Sequence, residues 1–335
     1  MGSIQIPEHY KSRLDIRETE VAIKEVKDHF ERALAKNLNL TRVSAPLFVE
    51  PRTGLNDNLN GVERPVSFDL KETGEVVEIV QSLAKWKRYA LKRYGFGHGE
   101  GLYADMTAVR RDEDTDNLHS IYVDQWDWER VIYKEERNDT VLEVIVRSVY
   151  EALKETERYM SEKYEYIDPL LPQDIYFVTS QELEDEYPGL TPKEREKECV
   201  KLHGAVFIKQ IGGKLKSGQK HDGRAPDYDD WSLNGDIIVY YPVLDCALEL
   251  SSMGIRVDEE ALERQLKEAG CEDRAQLHFQ KALLKGELPY TIGGGIGQSR
   301  ICMYFLRKAH IGEVHSAVWP KETEQEAEAH GIHLL

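Results

Sequence analysis

Near the C-terminal end of the sequence, Gly293-Gly294-Gly295-Ile296-Gly297-Gln298-Ser299-Arg300 runs into the apolar stretch Ile301-Cys302-Met303-Tyr304-Phe305-Leu306. Glycines let a ligand approach the main chain closely, and a helix starting beyond them favours anions. Arg300 carries the flat guanidinium that stacks on a nucleobase or pairs with phosphate. The bland alternative is a tight strand-to-helix turn ending on a solvated arginine. The run is no dinucleotide fingerprint, because a third glycine is missing after Gly297, and it lacks the Gly-Lys-Ser/Thr of a P-loop.

Arg110-Arg111-Asp112-Glu113-Asp114 is a charge run of the kind that usually forms a solvated loop, but its sequel is unusual. Gln125, Asp127 and Glu129 alternate with Trp126 and Trp128. On a strand the polar three share one face and the tryptophans pack the other, which suits a lined cleft better than a surface. Glu249, Ser251 and Met253 are expected to alternate on one strand face in the same way. Glu249 with an acid such as Asp236 could bind Mg²⁺ through oxygen ligands while a triphosphate supplies the rest; otherwise Glu249 is an ordinary surface acid. Arg224 and Asp227-Tyr228-Asp229-Asp230 stand in a turn-rich stretch that either is a solvated loop or holds an ammonium group. Lys87, in a basic helix start, could pair with a substrate carboxylate. Together the pieces point to a site that holds ATP beside an acidic amino acid and couples them.

The elements that must position these groups are read from periodicity. Residues 17–36 form an amphipathic helix with Val21, Val26, Phe30 and Leu34 on its apolar side. Residues 43–51, with Pro46 and Pro51, are extended and belong to an edge or interface. Residues 75–81 alternate like a strand, and Ser82 starts a basic helix. Residues 139–164 form a long helix, and Thr191-Pro192 opens another. Residues 205–211 and 236–243 read as buried strands, and Asp258 caps a helix that ends at Gly270. With no repeat and no linker, the pattern predicts one α+β domain over residues 1–335 with an insertion of helices around 139–204.

Composition narrows the function classes. A net charge of −17 over 335 residues repels phosphate backbones, so no nucleic-acid partner is expected. Four cysteines stand far apart without metal-ligand spacing and suit a reducing cytosol. No signal peptide or membrane-spanning run is visible, and a soluble cytoplasmic enzyme is the expectation.

At this point the residues resemble a known family. Arg110 with Glu113, and the glycine run ending in Arg300, resemble motifs 2 and 3 of class II aminoacyl-tRNA synthetases. The first helix and the Pro46 strand resemble motif 1, which in that class forms the dimer interface. The segment from Glu249 to Arg256 is similar to the aspartate-recognising strand of aspartyl-tRNA synthetases. Over essentially the whole chain the resemblance is closer to bacterial ammonia-dependent asparagine synthetases, which are aspartate–ammonia ligases. Asp57-Asn-Leu-Asn-Gly61, Ser82-Leu-Ala-Lys-Trp-Lys87-Arg88, Gly99-Glu-Gly-Leu-Tyr103, Tyr122 to Arg130, Arg224 to Trp231 and Leu233-Asn-Gly-Asp236 carry it. One departure is a loop of several residues expected between Trp231 and Leu233, where only Ser232 stands.

The resemblance implies a class II synthetase-like catalytic domain, a mainly antiparallel sheet flanked by helices. It implies that ATP activates the side-chain carboxylate of L-aspartate as an acyl-adenylate, that ammonia then gives L-asparagine and AMP, and that the enzyme is a homodimer using Mg²⁺. In that reading Arg110, Lys87 and Asp57 are catalytic, and Arg110, Glu113, Ser252, Gly295 and Arg300 hold ATP. Lys87, Gln125, Asp127, Arg224, Asp229, Ser251 and Arg256 surround aspartate, and Asp236 and Glu249 take the metal. Asp57 is the candidate base for ammonium; its alternative is a capping role in the Asn56-Asp57-Asn58 turn. Glutamine is not the expected nitrogen source, because no cysteine lies in a nucleophile motif and Gly2 stands where an N-terminal cysteine would be needed. Two rival readings remain: an aspartyl-tRNA-synthetase-like aminoacylating enzyme, and a non-catalytic paralogue that binds aspartate or nucleotide.

Overall fold

The structure, a computed structural model, describes residues 4–57 and 63–335. Residues 58–61 of the motif that begins at Asp57 therefore lie outside it. Eleven strands and nine α-helices are present among the described residues: α1 (Ile16–Leu38), β1 (Leu40–Arg42), β2 (Phe48–Val49), β3 (Ser67–Asp69), β4 (Val76–Ile79), α2 (Ala84–Tyr94), β5 (Gly101–Val109) and β6 (Tyr122–Val131). There follow α3 (Asp139–Lys163), β7 (Tyr176–Thr179), α4 (Ser180–Glu186), α5 (Pro192–His203), β8 (Ala205–Lys209), β9 (Asp229–Tyr241) and β10 (Cys246–Arg256). The chain closes with α6 (Glu259–Ala269), α7 (His278–Leu284), β11 (Thr291–Gly297), α8 (Gln298–Leu306) and α9 (Lys321–Ala329).

Eight strands form one sheet in the order β1-β5-β6-β11-β10-β9-β8-β7. Its six central strands are antiparallel, and only the edge pairs β1–β5 and β7–β8 are parallel. The small sheet β2-β4-β3 is separate. The stretch expected as a helical insertion thus also contributes an edge strand, β7, to the main sheet.

Local chemistry explains the long helices. The Asp15 side chain accepts the Glu18 N–H (2.8 Å) and Glu18 returns the bond to the Asp15 N–H (2.9 Å), a capping box that starts α1. Ala22, Val26, Phe30, Ala33 and Leu34 then recur at helical spacing and are buried. Val21, expected on this face, points to solvent with 53% of its surface exposed; it stands one position before the buried Ala22, which places it about 100° around the helix. The Asn138 side chain caps α3 through the Val141 N–H (3.0 Å). α1, α3 and α8 cover one face of the main sheet, where Phe30 meets Trp126 with ring centroids 4.8 Å apart and Trp128, Met253, Ile255, Ile292 and Ile296 complete the core.

The opposite face is covered only at its two sides. α4 and α5 pack on β8 and β9 through Leu183, Cys199, Val200, Val206, Ile208 and Ile238. α2 and the small sheet pack over β5 through Leu83, Ala104, Met106 and Ala108. Among the described residues α2 also covers one end of the polar faces of β6 and β11, and the part of β6, β11 and β10 left open between α2 and α5 is the site.

Candidate active site

The gap is a cavity of about 380 Å³. Gln125 and Asp127 of β6, Gly294, Gly295 and Gly297 of β11, and Glu249, Ser252 and Arg256 of β10 form its floor. The alternation expected along β6 holds: Trp126 and Trp128 are in the core, and the polar residues face the other way. Glu129, on that polar face, is fully buried beyond the floor.

Along β10 the expected alternation fails. The pairing with β9 shifts register between Glu249 and Ser251, a bulge that turns the following residues over. Ser252 rather than Ser251 therefore follows Glu249 into the cavity, while Ser251 and Met253 are buried and line nothing there.

β11 carries almost no side chains, and its neighbours use the space. A Cβ on Gly295 would overlap the amide oxygen of Gln125 and lie 3.1 Å from its Cδ. A Cβ on Gly293 would collide with the Glu129 carboxylate, with Arg256 Nη2 at 2.7 Å and with the Trp128 carbonyl at 2.6 Å.

At one end of the floor lies a network of ion pairs. Lys87 is wholly buried; its ammonium pairs with Asp127 and lies 3.5 Å from Glu129, and it donates to the carbonyls of Trp128 (2.8 Å) and Gly294 (3.3 Å). Lys87 thus props the floor residue Asp127 from α2, on the same face of the sheet, and does not line the cavity. Arg256 pairs with Glu129 (2.8 Å) and with Asp229, and Thr291 donates to Glu129 (2.7 Å). Burial raises the Glu129 pKa, but Arg256 and Lys87 outweigh it and hold the carboxyl below its usual range. For Asp229 burial wins over Arg256, and its pKa is raised. β9 runs unbroken from Asp229 through Ser232, where the longer loop was expected.

At the other end the cations are less committed. Arg110 follows β5; its Nη1 stands 4.0 Å from Glu113, and its buried Nε has no hydrogen-bond partner among the described residues. Arg300, in the first turn of α8, donates to the Glu249 carbonyl (3.1 Å) and lies 3.8 Å from its carboxylate. Arg224 pairs with Asp236. Burial would raise the Glu249 pKa, yet Arg300, Arg224, Lys193 and Arg110 together lower it.

Burial pushes Asp236 up to about 6, helped by the Glu249 charge and opposed by Arg224. Asp236 does not line the cavity, and its Oδ1 is buried without a hydrogen-bond partner among the described residues. Two close carboxylates, one with an unsatisfied oxygen, fit a hard cation that keeps phosphate or water in its other positions. Among the described residues no set of three or more His, Cys, Asp or Glu side chains could hold a metal alone.

Asp57 lines the cavity wall with Gln81 and Ser82. Its neighbour organises the turn: the Asn56 side-chain oxygen accepts from the N–H groups of Asp57 (3.0 Å) and Gln81 (2.9 Å). Gln81 in turn donates to the Asp57 carbonyl (2.9 Å). Of the residues named from sequence, Arg110, Glu113, Asp57, Gln125, Asp127, Arg224, Asp229, Glu249, Ser252, Arg256, Gly295 and Arg300 meet in this cavity. Lys87, Ser251 and Asp236 lie just behind its surface.

The family model for aspartate–ammonia ligase matches residues 17–331. The chain belongs to the aspartate–ammonia ligase family. It is 66% identical over 336 residues to an aspartate–ammonia ligase of Ruminiclostridium cellulolyticum and 65% identical to one of Clostridium perfringens, with 100% of each chain covered in both cases. The first alignment has 336 positions for a chain of 335, so that relative does not carry an extra loop of several residues after Trp231 either. The asparaginyl-tRNA synthetase of Pyrococcus horikoshii, complexed with asparaginyl-adenylate, superposes with a TM-score of 0.62 at 15% identity, covering 91% of this chain and 71% of that one. The fold is that of the class II synthetases.

Sequence reading missed several residues of the wall. Asp124 accepts from the Ser299 N–H (3.0 Å) and hydroxyl (2.6 Å) and pairs with Lys27 (2.9 Å), while Ser299 meets His315 (2.8 Å). An acid on the tryptophan side of β6 was the available signal, since a buried carboxylate needs a cation. Lys193, from the first turn of α5, also lines the cavity; nothing in its local sequence sets it apart from a solvated lysine.

Proposed function

We propose that the chain forms L-asparagine from L-aspartate, ammonia and ATP through a β-aspartyl-adenylate. The observation that carries the reading is one cavity with two differently built ends on a synthetase fold. At one end rigid, mutually paired groups can read a small zwitterion; at the other, Arg110 and Arg300 stand with guanidinium donors to spare. Family membership supports the same reaction.

Aspartate sits among Gln125, Asp127, Asp229 and Arg256, with Arg224 beyond them, so that carboxylates meet guanidiniums and the ammonium meets acids. Ser251 and Lys87 act on it through Ser252 and Asp127. An oxygen of the side-chain carboxylate attacks the α-phosphorus of ATP, and the bond to pyrophosphate breaks. Arg110 stabilises the charge that develops on the α-phosphate. Glu113 and the Gly295 backbone hold the nucleotide, with Arg300 on its base or phosphates. Glu249 and Asp236 would hold Mg²⁺, which when bound neutralises phosphate charge. Ammonia then attacks the acyl carbon and the bond to AMP breaks. Asp57, on the wall, takes the proton that nitrogen must lose.

Burial raises the thiol pKa of Cys246 to about 11 and those of Cys199 and Cys302 to about 12, which argues against a thiolate that would release ammonia from glutamine. Four free cysteines are consistent with a cytoplasmic setting, which fractionation of the source cells tests. No helix among the described residues is long and apolar enough to cross a membrane. The exposed apolar side chains of Ile16, Val21, Leu47, Phe48, Phe68 and Val76 support a homodimer through α1 and the small sheet; a stable active monomer in sedimentation would refute it.

The deciding assay follows AMP and asparagine from ATP, Mg²⁺ and aspartate. Both products should appear together with ammonium, fall sharply with glutamine in its place, and vanish with a chelator. Absence of AMP under every condition would overturn the reading, and charging of tRNA with labelled aspartate would favour the aminoacylating alternative. The net charge of −17 weighs against a tRNA partner.

A further inference from the structure

We infer that Lys193 is a binding residue for the pyrophosphate leaving group, delivered to the site by the segment inserted between β6 and β8. The inference rests on the ATP-dependent reading above. Lys193 lies in the first turn of α5, which is pinned by a capping box: Thr191 and Glu194 exchange side-chain-to-backbone bonds, the Thr191 N–H donating to the Glu194 carboxylate at 2.8 Å. From that fixed turn its side chain reaches the cavity wall.

Several other cations near the cavity are buried in their ion pairs. Lys87 is buried under Asp127, and Lys85 is buried on Asp227 at 3.0 Å. Arg224 is tied to Asp236, and Arg256 to Glu129 and Asp229. Among the described residues, Arg110, Arg300 and Lys193 are the cavity-lining lysines and arginines that are not themselves buried in an ion pair, although Lys193 does reach the buried carboxylate of Glu196. Lys193 keeps 68% of its side chain exposed, donates to both oxygens of the buried Glu196 carboxylate (3.1 and 3.2 Å) and comes within 4.0 Å of Asp222. Glu196 is also held by His221 at 3.1 Å, so α5 stays fastened to the loop before Arg224 whichever way the lysine turns.

Position decides which part of the substrate it serves. Lys193 lines the same cavity as Glu249, Arg300 and Arg110, and through Asp222 (4.0 Å, itself 3.6 Å from Arg224) it adjoins the Arg224–Asp236 pair, whose carboxylate is one of the two acids proposed for the metal that neutralises phosphate. When the α-phosphorus is attacked, the electron pair of the breaking bond passes to the bridging oxygen of pyrophosphate. An ammonium there stabilises that oxygen and the multiply charged pyrophosphate that departs, and its compact charge adapts to phosphate without a fixed fork geometry.

The test compares Lys193→Met and Lys193→Arg with the parent enzyme in the ammonium-dependent AMP assay, with pyrophosphate and AMP as product inhibitors. Loss of one charge-assisted contact should raise the pyrophosphate inhibition constant about tenfold or more in Lys193→Met, with that of AMP changing less than about twofold. Lys193→Arg should restore most of the pyrophosphate affinity. A parallel rise for pyrophosphate and AMP would reduce Lys193 to a support of the wall, and no change in either would also overturn the inference. If the parent enzyme forms no AMP, the ligase reading itself fails. Direct calorimetric binding of pyrophosphate then still judges Lys193, equal affinity in the parent and the Met variant counting against it.

Discussion

Replacing Lys87 by methionine separates two roles that look alike in the sequence. A lysine that binds substrate can be lost with the fold intact, whereas one that neutralises buried carboxylates cannot. In the structure Lys87 is wholly buried and its ammonium serves Asp127, Glu129 and two backbone carbonyls. Methionine keeps the length but leaves Asp127 without its cation, and breaking one side of a buried pair costs about 3–5 kcal/mol. With an unfolding entropy near 2.1 cal/mol/K per residue, a chain of 335 residues has about 0.7 kcal/mol/K in total, so the melting temperature should drop by about 4–7 °C. Calorimetry of Lys87→Met and of the double variant Lys87→Met/Asp127→Asn measures this. The double variant should recover part of the lost stability without recovering activity, because Asp127 lines the cavity. An unchanged melting temperature in Lys87→Met with activity abolished would refute the argument and make Lys87 a direct ligand.

Two further substitutions on β11 should part company. Gly295→Ala meets the movable end of Gln125 and should raise the KM for aspartate with little loss of stability, whereas Gly293→Ala meets the Trp128 carbonyl at 2.6 Å and should destabilise the protein by about 1–3 kcal/mol. Equal unfolding midpoints in urea for the two variants would contradict this. Burial lowers the pKa of His310, which has no exposed surface, from 6.5 to about 4, so the folded state favours the neutral ring. Its contribution is complete above the unfolded value of about 6.5 and is lost as pH falls towards 4, about 2 kcal/mol of it between pH 7 and 5. His310→Asn, which can still accept the Gly312 N–H as the ring Nδ1 does at 3.0 Å, should remove that part of the slope in urea unfolding; identical slopes would exclude His310 as its source.

Much of this was legible because local chemistry and tertiary need coincide. α1 carries a capping box and a helical apolar repeat, α5 begins at Thr191-Pro192, and α6 lies between Asp258 and Gly270, so each could be read within a few residues. Where long-range contacts decide, the sequence was mute. β9 begins at Asp229, seven residues before the apolar run, because Gln265 satisfies its backbone by accepting from the Trp231 N–H (2.8 Å) and donating to the Asp229 carbonyl (2.9 Å). The four residues of β7 are a strand only because β8 pairs with them. The β10 bulge exchanged Ser251 for Ser252, since strict alternation cannot reveal an inserted residue. Lys193 reaches the cavity through the packing of α5 on β8 and β9, a distance absent from any local pattern.

The glycines of β11 have one more consequence. Where most binding floors are tiled with side chains, this strip is bare main chain between two decorated strands, and the residues that shape the ligand's space are rooted in its neighbours, β6 and β10. Preferences for one substrate over another can therefore be rewritten by exchanging single residues of those neighbours, with the strip between them acting as a fixed ruler. The limit falls on the ruler itself, where the smallest possible addition, one methyl group, intrudes on atoms already in place.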